Sequence, residues 1–188
     1  MKIPKSILWI LLAMVIMAGV YGTILIRQGF STKDQPSSLE TVLARAARNW
    51  AIPASAKRDI NPYPPAPENV SEGRGHFADH CAICHANDGS GNTEIGQNLY
   101  PKPPDMRLAG TQDLTDGELF YIISNGVRMS GMPGWGASHV NEDTWKLVLF
   151  IRHLPQLSAE EKKDMERFNP RNADDHDEQE EHHHHHRE

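Results

Sequence analysis

The chain has 188 residues, enough for one domain of ordinary size with terminal extensions but not for a large multidomain enzyme with its own substrate-binding lobe. Its formal net charge of -6 resides mostly in residues 169–188, and the rest of the chain has no basic surplus, which excludes nucleic acid as an expected partner. Two cysteines are too few for a disulfide framework.

An apolar segment lies near the start of the chain. Residues 7–26 carry no charge, and a helix of about 20 residues spans the roughly 30 Å hydrocarbon layer of a bilayer. Lys2 and Lys5 precede it, so the positive-inside rule places residues 1–6 in the cytoplasm and the remainder outside. The alternative is a cleaved signal peptide, but its apolar region is usually only about 7 to 15 residues long, and no Ala-x-Ala site follows here. We therefore expect a retained transmembrane anchor.

A short amphipathic helix is predicted next. Ser37 and Glu40 have the spacing of a capping box, and apolar residues recur at helical intervals after them. The sequence leaves open whether this apolar face covers a partner, the membrane surface or the chain's own globular domain. The apolar positions are Leu39, Val42, Leu43, Ala46, Ala47 and Trp50.

A proline-rich stretch follows and completes a linker at residues 27–68. Proline lacks the amide donor and fixes φ, which excludes helix and favours extended polyproline geometry. We expect a semi-rigid spacer that holds a domain at residues 69–157 away from the bilayer. The prolines are Pro53, Pro62, Pro64, Pro65 and Pro67.

The string Cys81-Ala82-Ile83-Cys84-His85 is the most informative part of the sequence. Two thiols next to an imidazole are typical of covalent haem attachment, in which the thiols add to two vinyl groups and the histidine is the proximal iron ligand. A redox dithiol or half of a zinc site also uses Cys-x-x-Cys, but the chain has no second cysteine pair to complete tetrahedral zinc. The sequence thus predicts one haem c, held through two thioethers, with its iron ligated by His85.

A loop rich in glycine and proline, residues 125–135, is the candidate source of a sixth iron ligand. Glycine and proline prevent regular structure there and let the backbone pass close to a flat cofactor. Met132 stands in a Gly-Met-Pro triplet and is the predicted distal ligand, with Met129 as its rival and Met106 as a third candidate. Trp135, in the same loop, is a candidate cofactor contact.

Two helices are predicted on either side of this loop. Thr115 and Glu118 form a capping box ahead of an apolar run that stops where the loop begins. Asn141 can cap a last helix in which apolar residues recur at roughly helical spacing. The ligand loop therefore connects two helices of a small helical domain.

Further residues stand at fixed distances from the haem motif. They are Gly73, Phe77, the proline-rich segment 101–104, the Gly-Met-Pro triplet 131–133, Trp145 and Phe150. In this pattern residues 69–157 resemble a class I monohaem cytochrome c, a family with a glycine and an aromatic residue before the first cysteine and a tryptophan at the start of its last helix. The residue after the motif histidine is alanine, where the family often has glycine.

The resemblance implies an all-α fold, with about three to five helices around one covalent haem, behind the N-terminal transmembrane helix. It implies that the first and last helices cross, with Gly73 allowing close approach of Phe150. It also implies that a carbonyl of the Pro103 and Pro104 stretch, a cofactor-binding segment, accepts the N–H of His85; such bonds fix ring orientation and tune the metal.

Electron transfer, not catalysis, is the function that these features favour. With His and Met on both axial positions no substrate need bind the iron, and this ligation raises the reduction potential. The expected partners are a quinol-oxidising complex, a terminal oxidase or a periplasmic dehydrogenase, at the periplasmic side of a bacterial cytoplasmic membrane. A haem-bearing subunit of a larger oxidoreductase or terminal oxidase complex is the alternative. A peroxidase would need a distal acid/base pair and a sensor would need a transmitter domain, and the sequence offers neither feature.

Residues 158–188 are predicted to form a charged tail. Ser158 and Glu161 have capping-box spacing ahead of a short helix to Phe168, after which the acidic, polar composition favours disorder. A histidine run at 182–186 is interpreted as part of a solvated tail, with transition-metal capture by neutral imidazoles as the alternative hypothesis.

Overall fold

A computed structural model describes residues 4–28, 31–136 and 141–169. It divides into two compact units, one up to residue 32 and one from residue 33. The first unit holds helix α1 (Lys5–Gln28), which by length and composition alone can cross a membrane. The histidine run at 182–186, predicted to belong to a solvated tail with metal capture as the alternative, lies outside the described residues.

The second unit is built from helices and short turns, and its described part contains no β-strand. The all-α fold class expected from the sequence is confirmed. Its α-helices are α2 (Ser38–Ala51), α3 (Pro67–His76), α4 (Ala82–His85), α5 (Glu94–Gln97), α6 (Ala109–Gln112), α7 (Asp116–Asn125), α8 (Asn141–His153) and α9 (Ala159–Phe168). A π-turn at Phe77–Cys81 joins α3 to α4, and 3-10 turns lie at Ala56–Arg58 and Leu154–Gln156.

Helix starts follow the capping signals in the sequence. The Thr115 hydroxyl accepts from the Glu118 amide while the Glu118 carboxylate accepts from the Thr115 amide, which begins α7. Ser158 and Glu161 make the same reciprocal pair at α9. Each pair satisfies two amides that the first turn of a helix leaves without partners. Two of the three predicted capping boxes are therefore confirmed, and at α2 the Ser37 hydroxyl accepts from the Glu40 amide at 3.2 Å.

Helices α3 and α8 cross at the centre of the domain. A Cβ on Gly73 would lie 2.1 Å from the carbonyl oxygen of Lys146, so only glycine permits this approach. The residue implied at this crossing, Phe150, instead packs one turn further along: its ring centroid lies 5.2 Å from that of Phe77, and both rings are fully buried. The implied crossing is correct, but the backbone that meets Gly73 belongs to Lys146 and Leu147.

Gly73→Ala is expected to destabilise the domain by about 1 to 3 kcal/mol, because the added methyl group would meet backbone that cannot move aside. Gly75→Ala in the same helix is the matched control, since nothing lies within 4 Å of its Cβ position. That variant should be neutral or stabilising by up to about 1 kcal/mol, because alanine favours helix. Denaturant unfolding of the two purified variants compares their stabilities. Equal unfolding midpoints would contradict the close crossing of α3 and α8.

The hydrophobic core extends beyond residue 157, the predicted end of the domain. Met165 of α9 is fully buried in the same core as Phe77 and Phe150. His153 at the end of α8 also binds the carboxylate of Glu161, at 2.8 Å. Helix α9 is thus a packed part of the domain, not the start of a free tail.

The proline-rich segment lies along the domain and does not stand off it. Ile52 is buried, and the Ala56 carbonyl oxygen sits 1.9 Å from the position that a Cβ on Gly117 would take. The Asn61 side-chain amide donates to the carbonyl oxygen of Trp145 at 2.9 Å. The segment expected to act as a semi-rigid spacer therefore packs on α7 and α8, where its groups find partners.

Candidate haem site

The Cys-x-x-Cys-His motif lies where the chain turns out of α3. The π-turn Phe77–Cys81 passes directly into α4, which ends at His85. Both cysteines are partly buried free thiols, whereas His85 is 9% exposed. The structure therefore places the two thiols and the imidazole on one short helical stretch, in which Ala82 is fully buried.

The imidazole of His85 is neutral in this setting. Burial lowers its pKa to about 4, since the charged form would lose its hydration. A neutral imidazole has a free nitrogen lone pair, which is what metal ligation requires. The chemistry of His85 thus suits an iron ligand at neutral pH.

One ring nitrogen of His85 has no protein partner. Its Nδ1 is buried without a hydrogen bond, and buried polar atoms in folded proteins are nearly always paired. The hydrogen bond implied with a carbonyl of Pro103 or Pro104 is not formed. An orphaned nitrogen on a buried, neutral imidazole fits a side chain that is completed by a bound group, so the residues present fit a haem.

The two thiols are also neutral. Burial raises the pKa of Cys81 to about 12, with the neighbouring Cys84 adding to the shift. Burial likewise raises the pKa of Cys84. Among residues 4–28, 31–136 and 141–169, no group of three or more His, Cys, Asp or Glu side chains is placed to hold a metal ion.

Helix α5 packs closely behind the motif and positions it. The Thr93 hydroxyl donates to the Ile83 carbonyl at 2.9 Å and accepts from the Gly96 amide at 2.9 Å. A Cβ on Gly96 would lie 2.4 Å from the Cys84 carbonyl oxygen. Sequence reasoning missed these two supports. Thr93 precedes Glu94 at the start of α5, so its N-cap role was the available signal.

The residue after the motif adopts an unusual backbone conformation. Ala86 is buried and has φ +63 and ψ 160, a region that is essentially restricted to glycine. This explains why glycine is common there in the family that the sequence resembles. The strained turn leads into the hydrogen bond from the Gly91 amide to the His85 carbonyl, at 2.8 Å.

The second proline-rich segment, residues 101–104, packs against the turn that follows Ala86. A Cβ on Gly91 would lie 2.8 Å from the carbonyl oxygen of Pro103, which is half-buried, while Pro104 is exposed. The Met106 amide donates to the Gly89 carbonyl at 2.8 Å. The turn that contains Gly91 and the segment that contains Pro103 are thus packed together. Neither Pro103 nor Pro104 forms a hydrogen bond with His85.

The glycine-rich loop folds back on the end of α7. The Trp135 amide donates to the Ile123 carbonyl at 3.0 Å, and the Val127 amide donates to the Met132 carbonyl at 3.1 Å. Gly126 has φ +69, and a Cβ on it would lie 2.6 Å from the Gly134 nitrogen. The loop therefore doubles on itself and brings Met132 back toward the core.

The three candidate methionines lie in very different surroundings. Met132 is partly buried and packs against the same core cluster as Cys81. Met129 is 90% exposed, with φ +61, and its side chain faces solvent. Met106 is itself part of the buried core. Of the three, Met132 alone combines a loop position with partial burial against the core.

Trp135 also lies beside the motif. It is half-buried against the core cluster, and its ring centroid is 5.2 Å from that of His80, the exposed residue directly before Cys81. Trp135 thus lies beside the residue that precedes the motif, while Met132 packs against the same core cluster. Contact of Trp135 with a cofactor stays a prediction.

A family model described as "Cytochrome C oxidase, cbb3-type, subunit III" matches residues 68–151. A search of curated proteins found no match. The matched segment contains the whole Cys-x-x-Cys-His motif, the glycine-rich loop at residues 125–135 and most of α8. Cytochromes c carry covalently bound haem c. The chain is therefore an electron-transfer cytochrome of the c type: residues 68–151 are its cytochrome c domain, and its N-terminal helix is long and apolar enough to cross a membrane.

Proposed function

We propose that the domain holds a single haem, joined by thioethers to Cys81 and Cys84, with His85 and Met132 as the two axial ligands. The observation that carries this proposal is the buried, neutral imidazole of His85, whose Nδ1 lacks a protein partner, on the same short segment as both thiols. The exclusion of Met129 rests on its exposure. Met132 is supported by its packing against the core that includes Cys81 at its edge.

Bound haem supplies a one-electron couple between ferric and ferrous iron. The chain's own residues do the rest. Cys81, at the end of the π-turn, and Cys84, on α4, would hold the group, and the neutral imidazole of His85 offers a lone pair. Thr93 fixes the carbonyl of Ile83 and so holds α4 in place. If His85 and Met132 both bind the iron, the chain leaves no position on it open to small molecules.

The proposed location is the periplasmic side of a bacterial cytoplasmic membrane. Lys2 and Lys5, ahead of the apolar residues 7–26, favour that orientation, and α1 supports retention as an anchor by its length and hydropathy. A tethered carrier diffuses in two dimensions, so its donor and acceptor also belong in or at the membrane. A quinol-oxidising complex, a terminal oxidase and a periplasmic dehydrogenase all meet that requirement.

Membership in a terminal oxidase complex is the second candidate. It is favoured by the description of the matching family, which is a subunit of a cbb3-type oxidase. In that case the cytochrome would be a fixed relay and not a mobile carrier. Gentle detergent extraction of native membranes distinguishes the two, because a subunit should co-migrate with oxygen-reducing activity whereas a carrier should separate from it.

Carbon monoxide binding by the ferrous protein tests electron transfer against the alternatives. If His85 and Met132 fill both axial positions, the reduced spectrum should not change with carbon monoxide, and a redox titration should follow a one-electron curve. Met132→Ala should bind the gas, which shows that the assay detects an open site. Rapid carbon monoxide binding or peroxide turnover by the native protein would instead favour a sensor or a peroxidase.

A further inference from the structure

Helix α2 exposes the apolar face that it would be expected to bury. None of its residues is buried. The apolar residues recur at helical spacing along one side, and Trp50 at the end of the stripe is 91% exposed. An amphipathic helix of a globular protein ordinarily turns such a side toward its own core. The members of this stripe are Leu39, Val42, Leu43, Ala46, Ala47 and Trp50, all exposed.

The opposite, polar side of α2 faces the domain. Its two partly buried residues are Thr41 and Arg48, and burial lowers the pKa of the Arg48 guanidinium. At the two ends of the helix, the Tyr100 hydroxyl donates to the Glu40 carboxylate and Lys57 donates to the Asn49 carbonyl.

These contacts leave the apolar stripe without a partner among residues 31–136 and 141–169 of the domain. The idea that α2 packs its apolar side on its own domain is thus wrong. A continuous stripe of this kind on a soluble surface marks an interaction site.

The position of α2 in the chain identifies its partner. Only residues 29–37 separate the end of α1 from the start of α2, and about ten extended residues reach at most about 35 Å. With α1 in the bilayer, α2 cannot be far from the lipid surface. Interfacial helices combine an apolar side that contains Trp and Leu with a polar side that contains Arg. In α2 those residues are Trp50, Leu39 and Leu43 on one side and Arg45 and Arg48 on the other.

We propose that the apolar stripe of α2 lies in the outer surface of the lipid bilayer that α1 spans. This inference rests on the proposed retention of α1 as an anchor. Because α2 is bound to the rest of the domain through Glu40 and the backbone of Asn49, the docked helix would hold the domain against the membrane surface. The haem domain would then present a fixed side to its partners.

Spin labels on the full-length holoprotein in lipid nanodiscs test this proposal. The haem thioethers occupy both native cysteines, so single cysteine substitutions can be labelled with a nitroxide. The reporters are Val42→Cys and Leu43→Cys on the apolar side, Arg45→Cys on the exposed polar side as the matched control, and Val15→Cys inside α1. Power saturation with oxygen, which partitions into lipid, and with a nickel chelate, which stays in water, gives the surroundings of each label.

The two labels on the apolar side should collide preferentially with oxygen, as the label at residue 15 does, while the label at residue 45 should collide preferentially with nickel. Water-like behaviour at residues 42 and 43 with lipid-like behaviour at residue 15 would overturn the docking and leave the anchor intact. Water-like behaviour at residue 15 would overturn the anchor and the docking together. If the labels at residues 42 and 43 were shielded from the nickel chelate only in native membranes that hold other proteins, a protein partner would replace lipid as the occupant of the stripe.

Discussion

Replacement of both Cys81 and Cys84 by alanine is expected to leave the domain largely unfolded. A domain of this size buries only about 60% of its chain surface, so the haem must complete much of the core. The protein alone leaves Met132 and Trp135 only partly buried at the edge of that core. Near-UV circular dichroism of the purified double variant should therefore show little fixed aromatic structure.

The single variant Cys84→Ala is the control for this experiment. It keeps one thiol for attachment, so it should retain haem and most of the near-UV signal with reduced stability. A double variant with a native-like near-UV spectrum and no haem would contradict the account, because the protein core would then be sufficient by itself.

Met132→Ala is expected to abolish the weak red-edge absorbance that sulfur ligation gives the oxidised protein. The reduction potential should also fall, since the thioether ligand raises it. The matched control is Met129→Ala, which removes the same side chain three residues earlier in the same loop. Met129 is 90% exposed, so its loss should leave the band and the potential unchanged. Disappearance of the band in Met129→Ala alone would reverse the assignment of the distal ligand.

Local signals in the sequence were sufficient for much of this fold. Capping boxes at Thr115 and Ser158 have short-range causes, and both appear in the structure. The crossing at Gly73 was implied by a family pattern, but its partner was misplaced by one turn. A sequence pattern gives the position of a small residue, whereas the backbone that it admits depends on the packing of the whole helix pair.

The orientation of α2 could not be predicted from periodicity. The spacing of Leu39, Leu43 and Trp50 shows that one side of the helix is apolar, but not what that side faces. The direction is set by contacts distant in the chain, such as that between Tyr100 and Glu40. The same reason applies to the proline-rich segment, whose partner on α7 is Gly117. Thr93 was missed because its bond to Ile83 depends on the fold of the intervening loop.

The most direct test of a covalent haem at Cys81 and Cys84 is the intact mass of the mature chain under denaturing conditions, after production in a host that attaches haem. The account predicts the mass of one chain plus one haem, retained after acid and organic solvent have removed any non-covalent ligand. A chain that is colourless, or that loses all its colour and added mass under those conditions, would contradict it.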